Sequence, residues 1–129
     1  MPHISKKSLD KKFVNKLYSE LLQIIEKSAE NKLLEKVTGE LLTRTEKIML
    51  AKRLASVVML SKDVPHHVIV ETLNVSPSTV ARISLSFEIG EYKHLLRQLQ
   101  EDNDDVFDLL EKVLLMGMPP YGRRRKKKI

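Results

Sequence analysis

The stretch LNVSPSTVARISLSFE, residues 73–88, places a serine and a proline between two apolar segments. Asn74 tolerates the left-handed backbone conformation that a tight corner between two helices needs. Ser76 can cap the following helix with its hydroxyl, and Pro77 suits the first helical position because an N–H there would have no partner. The stretch therefore predicts a compact corner between two helices, with the second helix over residues 77–88.

The apolar residues on both sides of this corner have the spacing of a helix-turn-helix motif. Such a motif buries about five positions: two in the first helix, one in the turn and two in the second helix. The residues at these positions are Ile69, Leu73, Val75, Val80 and Ile83. Two residues depart from the common pattern, since Val70 stands where a smaller side chain is usual and Asn74 where glycine is commonest. The motif is predicted at residues 65–88, with Pro65 opening its first helix.

Helices are also predicted on the N-terminal side of the motif. Residues 9–29 repeat apolar side chains with helical spacing and keep Lys and Glu opposite, which is typical of a long amphipathic helix. A short helix at 32–37 is expected to end at Gly39. Thr43 and Glu46 have the spacing of a capping box, in which each side chain accepts from the free N–H of the other, so a third helix starts there.

The third helix and the region after the motif are also rich in apolar residues. The third helix is expected to be a central strut buried on several faces, through Ile48, Leu50, Ala51, Leu54, Ala55, Val57 and Val58. Residues 91–117 predict two further helices. Their apolar stripes contain Tyr92, Leu95, Leu96 and Leu99, then Val106, Leu109, Leu110, Val113 and Leu114. These helices either enlarge a dimer core, which we favour, or form a regulatory interaction surface.

The formal net charge of +6 is concentrated at one end of the chain. Residues 123–128, RRRKKK, carry six positive charges, which leaves 17 Lys and Arg against 17 Asp and Glu. Pro119 and Pro120 interrupt helical structure before this run, so we predict a disordered basic tail over residues 118–129. A flexible cationic run can bind phosphates without sequence preference. The alternative is a solvated tail that only aids solubility.

The first turn of the second motif helix carries small polar side chains. In helix-turn-helix proteins, the N-terminal residues of this helix contact base edges in the major groove, and small side chains let the backbone approach. Ser and Thr can bond several bases, whereas Arg can bind guanine through two hydrogen bonds. The predicted base-side contacts are Ser76, Pro77, Ser78, Thr79, Ala81 and Arg82. The predicted phosphate contacts are His66 and His67, with Arg123, Arg124, Arg125, Lys126, Lys127 and Lys128 in the tail. The alternative is an αα corner that binds nothing.

The residue types indicate no catalytic or metal site. The chain has no cysteine, which excludes disulfides, thiolate zinc sites and cysteine nucleophiles. His66 and His67 are adjacent and would project about 100° apart on a helix, so they cannot chelate one metal as an i, i+4 pair would. The run EDNDD at 101–105 lacks the glycine and the ligand spacing of a calcium loop. We expect a protein that is not an enzyme and binds no cofactor.

Two segments of the chain resemble a known family. The segments TEKIMLAKRLASVVML and VETLNVSPSTVARI are similar to the tryptophan repressor superfamily, in particular its YerC/YecD branch of small helical DNA-binding proteins in bacteria. The resemblance covers about residues 9–90 and is strongest over 43–82. It implies an all-α fold in which two chains intertwine through their N-terminal helices into a homodimer. Such dimers read palindromic operators with two recognition helices roughly 34 Å apart.

The resemblance also bears on a small ligand. The repressor that gives the family its name binds tryptophan between two arginines, and Arg53 and Arg82 occupy the matching positions, which makes them candidate ligand-binding residues. Tryptophan-binding members have glycine after the second arginine, whereas this chain has Ile83, which is expected to fill that space. We therefore predict that tryptophan is not a corepressor. Arg53 is then a surface or salt-bridge residue first, and Arg82 a DNA contact.

The sequence as a whole predicts an all-α homodimeric transcriptional regulator, a repressor that inserts the recognition helix at 77–88 into the major groove of double-stranded DNA. The predicted domains are a flexible N-terminus at 1–8, a DNA-binding domain at 9–90, additional C-terminal helices at 91–117 and the tail. With no apolar run near the ~18 residues of a membrane span, we expect a cytoplasmic, nucleoid-associated protein. The alternatives are an all-α protein-interaction module with a non-specific basic tail, and a protein that compacts nucleic acid non-specifically.

Overall fold

The computed structural model describes residues 10–101 together with Asp108 and Lys112. Within this part of the chain there are six α-helices and no strand, which confirms the predicted all-α class. The helices are α1 (Lys11–Glu30), α2 (Leu34–Leu41), α3 (Arg44–Ser61), α4 (His66–Leu73), α5 (Pro77–Glu88) and α6 (Lys93–Glu101). The predicted N-terminus at 1–8, the tail at 118–129 and nearly all of the second C-terminal helix lie outside the described residues.

The chain forms two compact units, one ending at Glu46 and the other beginning at Lys47. In the first unit, α1 starts where the carboxylate of Asp10 accepts a hydrogen bond from the backbone N–H of Lys12 at 3.1 Å. α1 packs against α2. The prediction of one long amphipathic helix here is confirmed, to within two residues at its start and one at its end.

The predicted end of the short second helix at Gly39 is wrong. α2 is Leu34–Leu41 and continues through Gly39, because a glycine inside a helix costs only about 1 kcal/mol relative to alanine. The helix stops at Leu42, whose backbone is extended, immediately before the capping box. There the N–H of Thr43 donates to Glu46 Oε1 at 2.8 Å and the N–H of Glu46 donates to Thr43 Oγ1 at 3.1 Å, as predicted.

The second unit has its core around the C-terminal half of α3. The prediction that α3 is buried on several faces along its length is wrong for its first half, where Ile48, Leu50 and Ala51 are exposed. Burial is confined to the last turns because the hydrophobic cluster forms there, with α4 and α5, which follow that end of the helix. The cluster comprises Val57, Met59, Leu60, Val64, Val68, Ile69, Val80 and Ile83.

The predicted helix-turn-helix burial pattern is confirmed. Ile69, Val80 and Ile83 are buried in the core, and Leu73 and Val75 pack against it. α4 begins one residue later than predicted, because Pro65 is its N-cap. The carbonyl of Pro65 accepts hydrogen bonds from the N–H groups of Val68 and Ile69, at 3.0 and 3.2 Å.

α6 covers one side of this core, whereas the interpretation favoured from the sequence places its apolar stripe in a dimer core. Tyr92, Leu95 and Leu96 pack against the hydrophobic cluster, and Leu99 is buried. The chain turns from α5 into α6 through Gly90, whose φ of 83° is in the left-handed region that favours glycine. Of the second predicted C-terminal helix, only Asp108 and Lys112 are described, and both are helical and exposed.

Candidate nucleic-acid interface

The corner between α4 and α5 is built on one left-handed residue. Asn74 has φ 54° and ψ 54°, and its N–H donates to the carbonyl of Val70. The N–H of Val75 donates to the same carbonyl at 3.3 Å, which ends α4 and redirects the chain. Asparagine adopts this conformation more readily than most residues with a side chain. The prediction that Asn74 replaces the usual glycine of the turn is confirmed.

The hydroxyl of Ser76 organises the first turn of α5. Its Oγ accepts a hydrogen bond from the backbone N–H of Thr79 at 3.1 Å, so Ser76 is the N-cap that the sequence predicted. The same oxygen lies 2.7 Å from Thr79 Oγ1 and 3.1 Å from Ser78 Oγ. Pro77 occupies the first helical position. Three hydroxyl groups are thus held close together at the start of the helix.

The predicted base-side contacts lie together at the start of α5. Ser76, Pro77, Ser78, Ala81 and Arg82 are exposed, and Thr79 is half-buried. Val80 and Ile83, which alternate with them, are in the core. The start of α5 therefore combines a buried apolar side with an exposed side of small polar residues and one arginine.

One residue of this region was missed in the sequence. Lys52 of α3 is half-buried, and its Nζ donates a hydrogen bond to the carbonyl of Asn74 at 3.2 Å. It links the strut to the turn of the helix-turn-helix motif across 22 positions of sequence. Rules based on sequence spacing apply only to residues within about one helical turn of one another, so they could not predict this contact.

The charge balance differs between the two units. In the described part of the first unit, residues 10–46, seven basic residues face seven acidic ones. Residues 47–99 contain only the four acids Asp63, Glu71, Glu88 and Glu91, against the seven bases Lys47, Lys52, Arg53, Lys62, Arg82, Lys93 and Arg97. The segment that contains the helix-turn-helix motif is therefore net positive, whereas the acids at 101–111 reverse the balance over residues 47–122, which hold ten acids and eight bases.

The other predicted site residues are placed as follows. His66 and His67 are exposed at the start of α4. Arg53 on α3 and Arg82 on α5 are also exposed, whereas Ile83 is only 8% exposed and belongs to the core cluster. The tail residues Arg123, Arg124, Arg125, Lys126, Lys127 and Lys128 lie outside the described residues.

Among residues 10–101, Asp108 and Lys112, no group of three or more His, Cys, Asp or Glu side chains could hold a metal ion. None of the helices described in this part of the chain is long and apolar enough to cross a membrane.

Comparison with known families shows which family the chain belongs to. A family model described as Trp repressor protein matches residues 16–100, which is more than half of the chain. The chain belongs to the Trp repressor protein family. No curated protein and no solved structure matches it. The span matched by the Trp repressor family begins within α1, contains the whole helix-turn-helix motif and ends within α6.

Membership in the Trp repressor family confirms the resemblance found in the sequence at the level of the superfamily. It indicates a DNA-binding helix-turn-helix regulator and not an enzyme. The narrower assignment to the YerC/YecD branch stays a prediction.

Proposed function

We propose that this protein is a sequence-specific regulator of transcription, a repressor that binds double-stranded DNA as a homodimer through α5. In this proposal the first turns of α5 enter the major groove and Arg82 reads a base, while the residues around Ser76 approach the backbone and base edges. A regulator of chromosomal DNA would be cytoplasmic and associated with the nucleoid.

The observation that carries the proposal is the exposed polar start of α5 on a helix whose other side is buried. Ser76, Ser78 and Arg82 are exposed, whereas Val80 and Ile83 are held in the core. A helix fixed in this way presents its N-terminal end to a groove at little entropic cost on binding. The excess of basic residues over 47–99 adds an attractive field for phosphates.

Homodimerisation is supported by the apolar side chains of α1. Phe13, Leu17 and Ile24 are 51%, 49% and 51% exposed in the single chain. A contiguous set of exposed apolar side chains marks an interaction surface more often than a solvated one. A second copy of the same helix would cover it.

The proposal includes no tryptophan corepressor. Ile83 follows Arg82 at the position where tryptophan-binding members have glycine, and its side chain is packed in the core cluster. A ligand beside Arg82 would have to displace this side chain or bind elsewhere. Arg53 and Arg82 are therefore assigned to the surface and to DNA.

The proposal is tested by selecting bound duplexes from a random DNA library. The full-length protein is compared with a shortened chain that ends at Gly122 and lacks the basic run at 123–128. We expect both proteins to enrich one palindromic motif, because the reading residues lie in α5, while the shortened chain binds it more weakly. Enrichment of no motif by either protein would contradict specific regulation. Loss of all binding in the shortened chain would favour non-specific binding through the tail.

A further inference from the structure

We infer that Lys52 is a positioning residue, which fixes the turn of the helix-turn-helix motif on α3 and thereby sets the direction in which α5 is presented. The inference rests on the proposed function for its effect on DNA binding. Its structural part stands on one contact, the 3.2 Å hydrogen bond from Lys52 Nζ to the carbonyl of Asn74.

Lys52 is anchored to the core at its backbone. The carbonyl of Lys52 accepts a hydrogen bond from Ser56 Oγ at 2.8 Å, and Ser56 is fully buried. The residues of α3 that follow Ser56, up to Leu60, are buried as well. The lysine side chain therefore extends from the turn of α3 that directly precedes the buried segment.

The other end of the contact is the backbone carbonyl of Asn74, in the turn of the motif. The carbonyl of Asn74 belongs to the left-handed residue that ends α4, and the carbonyls at a helix C-terminus carry partial negative charge. An ammonium group is a favourable partner for such a carbonyl, and hydrogen bonds to charged groups are stronger than neutral ones. The lysine thus stabilises one backbone conformation at the point where the chain changes direction.

The contact acts on α5 through a very short connection. Only Val75 separates Asn74 from Ser76, the N-cap of α5. A change in the backbone at Asn74 would therefore move the first turn of α5, which includes Ser78 and Thr79. If the turn adopts several conformations, only the fraction that matches the groove binds specifically, and the apparent affinity falls by that fraction.

The test compares Lys52→Met, which keeps the apolar stem and removes the donor, with Lys47→Met and Lys52→Arg. Lys47 is exposed on the same helix, so Lys47→Met removes the same charge. Full-length variants are titrated against the selected duplex and an unrelated one at several salt concentrations. We expect Lys52→Met to raise the dissociation constant for the selected duplex roughly three- to tenfold more than Lys47→Met does. Lys52→Met and Lys47→Met should lose the same affinity for the unrelated duplex. Lys52→Arg should keep most of the affinity for the selected duplex that Lys52→Met loses.

Two outcomes would overturn the inference. Lys52→Met could match Lys47→Met on both duplexes, which would make the contact irrelevant. Alternatively, Lys52→Met could weaken binding to both duplexes equally. It would then also lower the slope of log K against the logarithm of the salt concentration by about one more than Lys47→Met does, which is the behaviour of a phosphate contact.

A second measurement separates this inference from the proposed function. If the unaltered protein selects no duplex, the proposed function fails, and the inference is judged by amide hydrogen exchange alone. The N–H groups of Val75 and Thr79 are bonded to Val70 and Ser76 within the turn. Faster exchange of both in Lys52→Met than in Lys47→Met would support the positioning role, and unchanged exchange would refute it.

Discussion

Ser76 and Arg82 both lie in the first turns of α5 or at its N-cap, but they have different chemical surroundings. The hydroxyl of Ser76 is engaged with the N–H of Thr79 and with two neighbouring hydroxyls. Its main role in the free protein is therefore to cap α5. Arg82 is exposed, and its guanidinium can make two parallel hydrogen bonds to guanine, which no other residue in the first turns can do.

Replacing Arg82 tests base reading directly. Arg82→Ala should weaken binding to the selected duplex by about 1–3 kcal/mol and relax the preference at one position of the motif. Arg97→Ala is the matched control, since Arg97 is an exposed arginine on α6. Competition titrations with duplexes substituted at single positions would measure both effects. An equal loss for Arg82→Ala and Arg97→Ala would contradict a base contact.

Replacing Ser76 tests the cap. Ser76→Ala should lower the free energy of unfolding by about 1 kcal/mol, because the N–H of Thr79 loses its acceptor. Ser78→Ala should change it by less than about 0.5 kcal/mol, since Ser78 is exposed and caps no backbone group of α5. Urea unfolding followed by circular dichroism measures both values. Equal stabilities would show that the cap contributes nothing.

In the second unit, the corner between α4 and α5 is packed into the hydrophobic cluster, and other segments are exposed. α4 and α5 share the hydrophobic cluster with the last turns of α3, whereas Ile48, Leu50 and Ala51 in its first half are exposed. Close packing makes such a cluster sensitive to the loss of a few methyl groups. The orientation of the recognition helix therefore depends on residues that would never touch DNA.

The dependence of the corner on its core can be measured at Ile69. Ile69→Ala should destabilise the protein by about 2–5 kcal/mol, because Ile69 is fully buried between the elements of the motif. Leu85→Ala is the control on α5, where Leu85 is 63% exposed, and should change stability little. Thermal unfolding of both variants checks the difference. Similar melting temperatures would mean that this cluster does not hold the motif.

In the molecule as a whole, the first unit contains the surface that we propose for the dimer. Its described residues are balanced in charge, and the apolar side chains of α1 remain half exposed in the single chain. Residues 47–99 of the second unit carry a basic excess and contain the motif.

Disruption of the α1 surface tests the dimer. Leu17→Glu should shift the protein from dimer to monomer at micromolar concentration and abolish binding to a palindromic duplex, because a charge would be placed in an apolar interface. Ser19→Glu introduces the same charge on the same helix, about 200° away around its axis, and should leave the dimer intact. Sedimentation equilibrium distinguishes the two results. A Leu17→Glu protein that remains dimeric would exclude this surface as the interface.

The sequence by itself determined the helices, the capping box at Thr43 and Glu46, the left-handed Asn74 and the Ser76 cap. Each depends on residues within about four positions of one another, which spacing rules can read. Gly39 shows the limit of such rules, because a single glycine costs a helix only about 1 kcal/mol and α2 continues through it.

Only the tertiary structure decided which half of α3 is buried and that Lys52 reaches the turn. These features depend on which elements meet in space. Lys52 and Asn74 are 22 residues apart, and no local pattern brings an ammonium group to a particular backbone carbonyl over that separation. The helix-turn-helix motif could therefore be predicted from the sequence, whereas the contact between Lys52 and the turn required the fold.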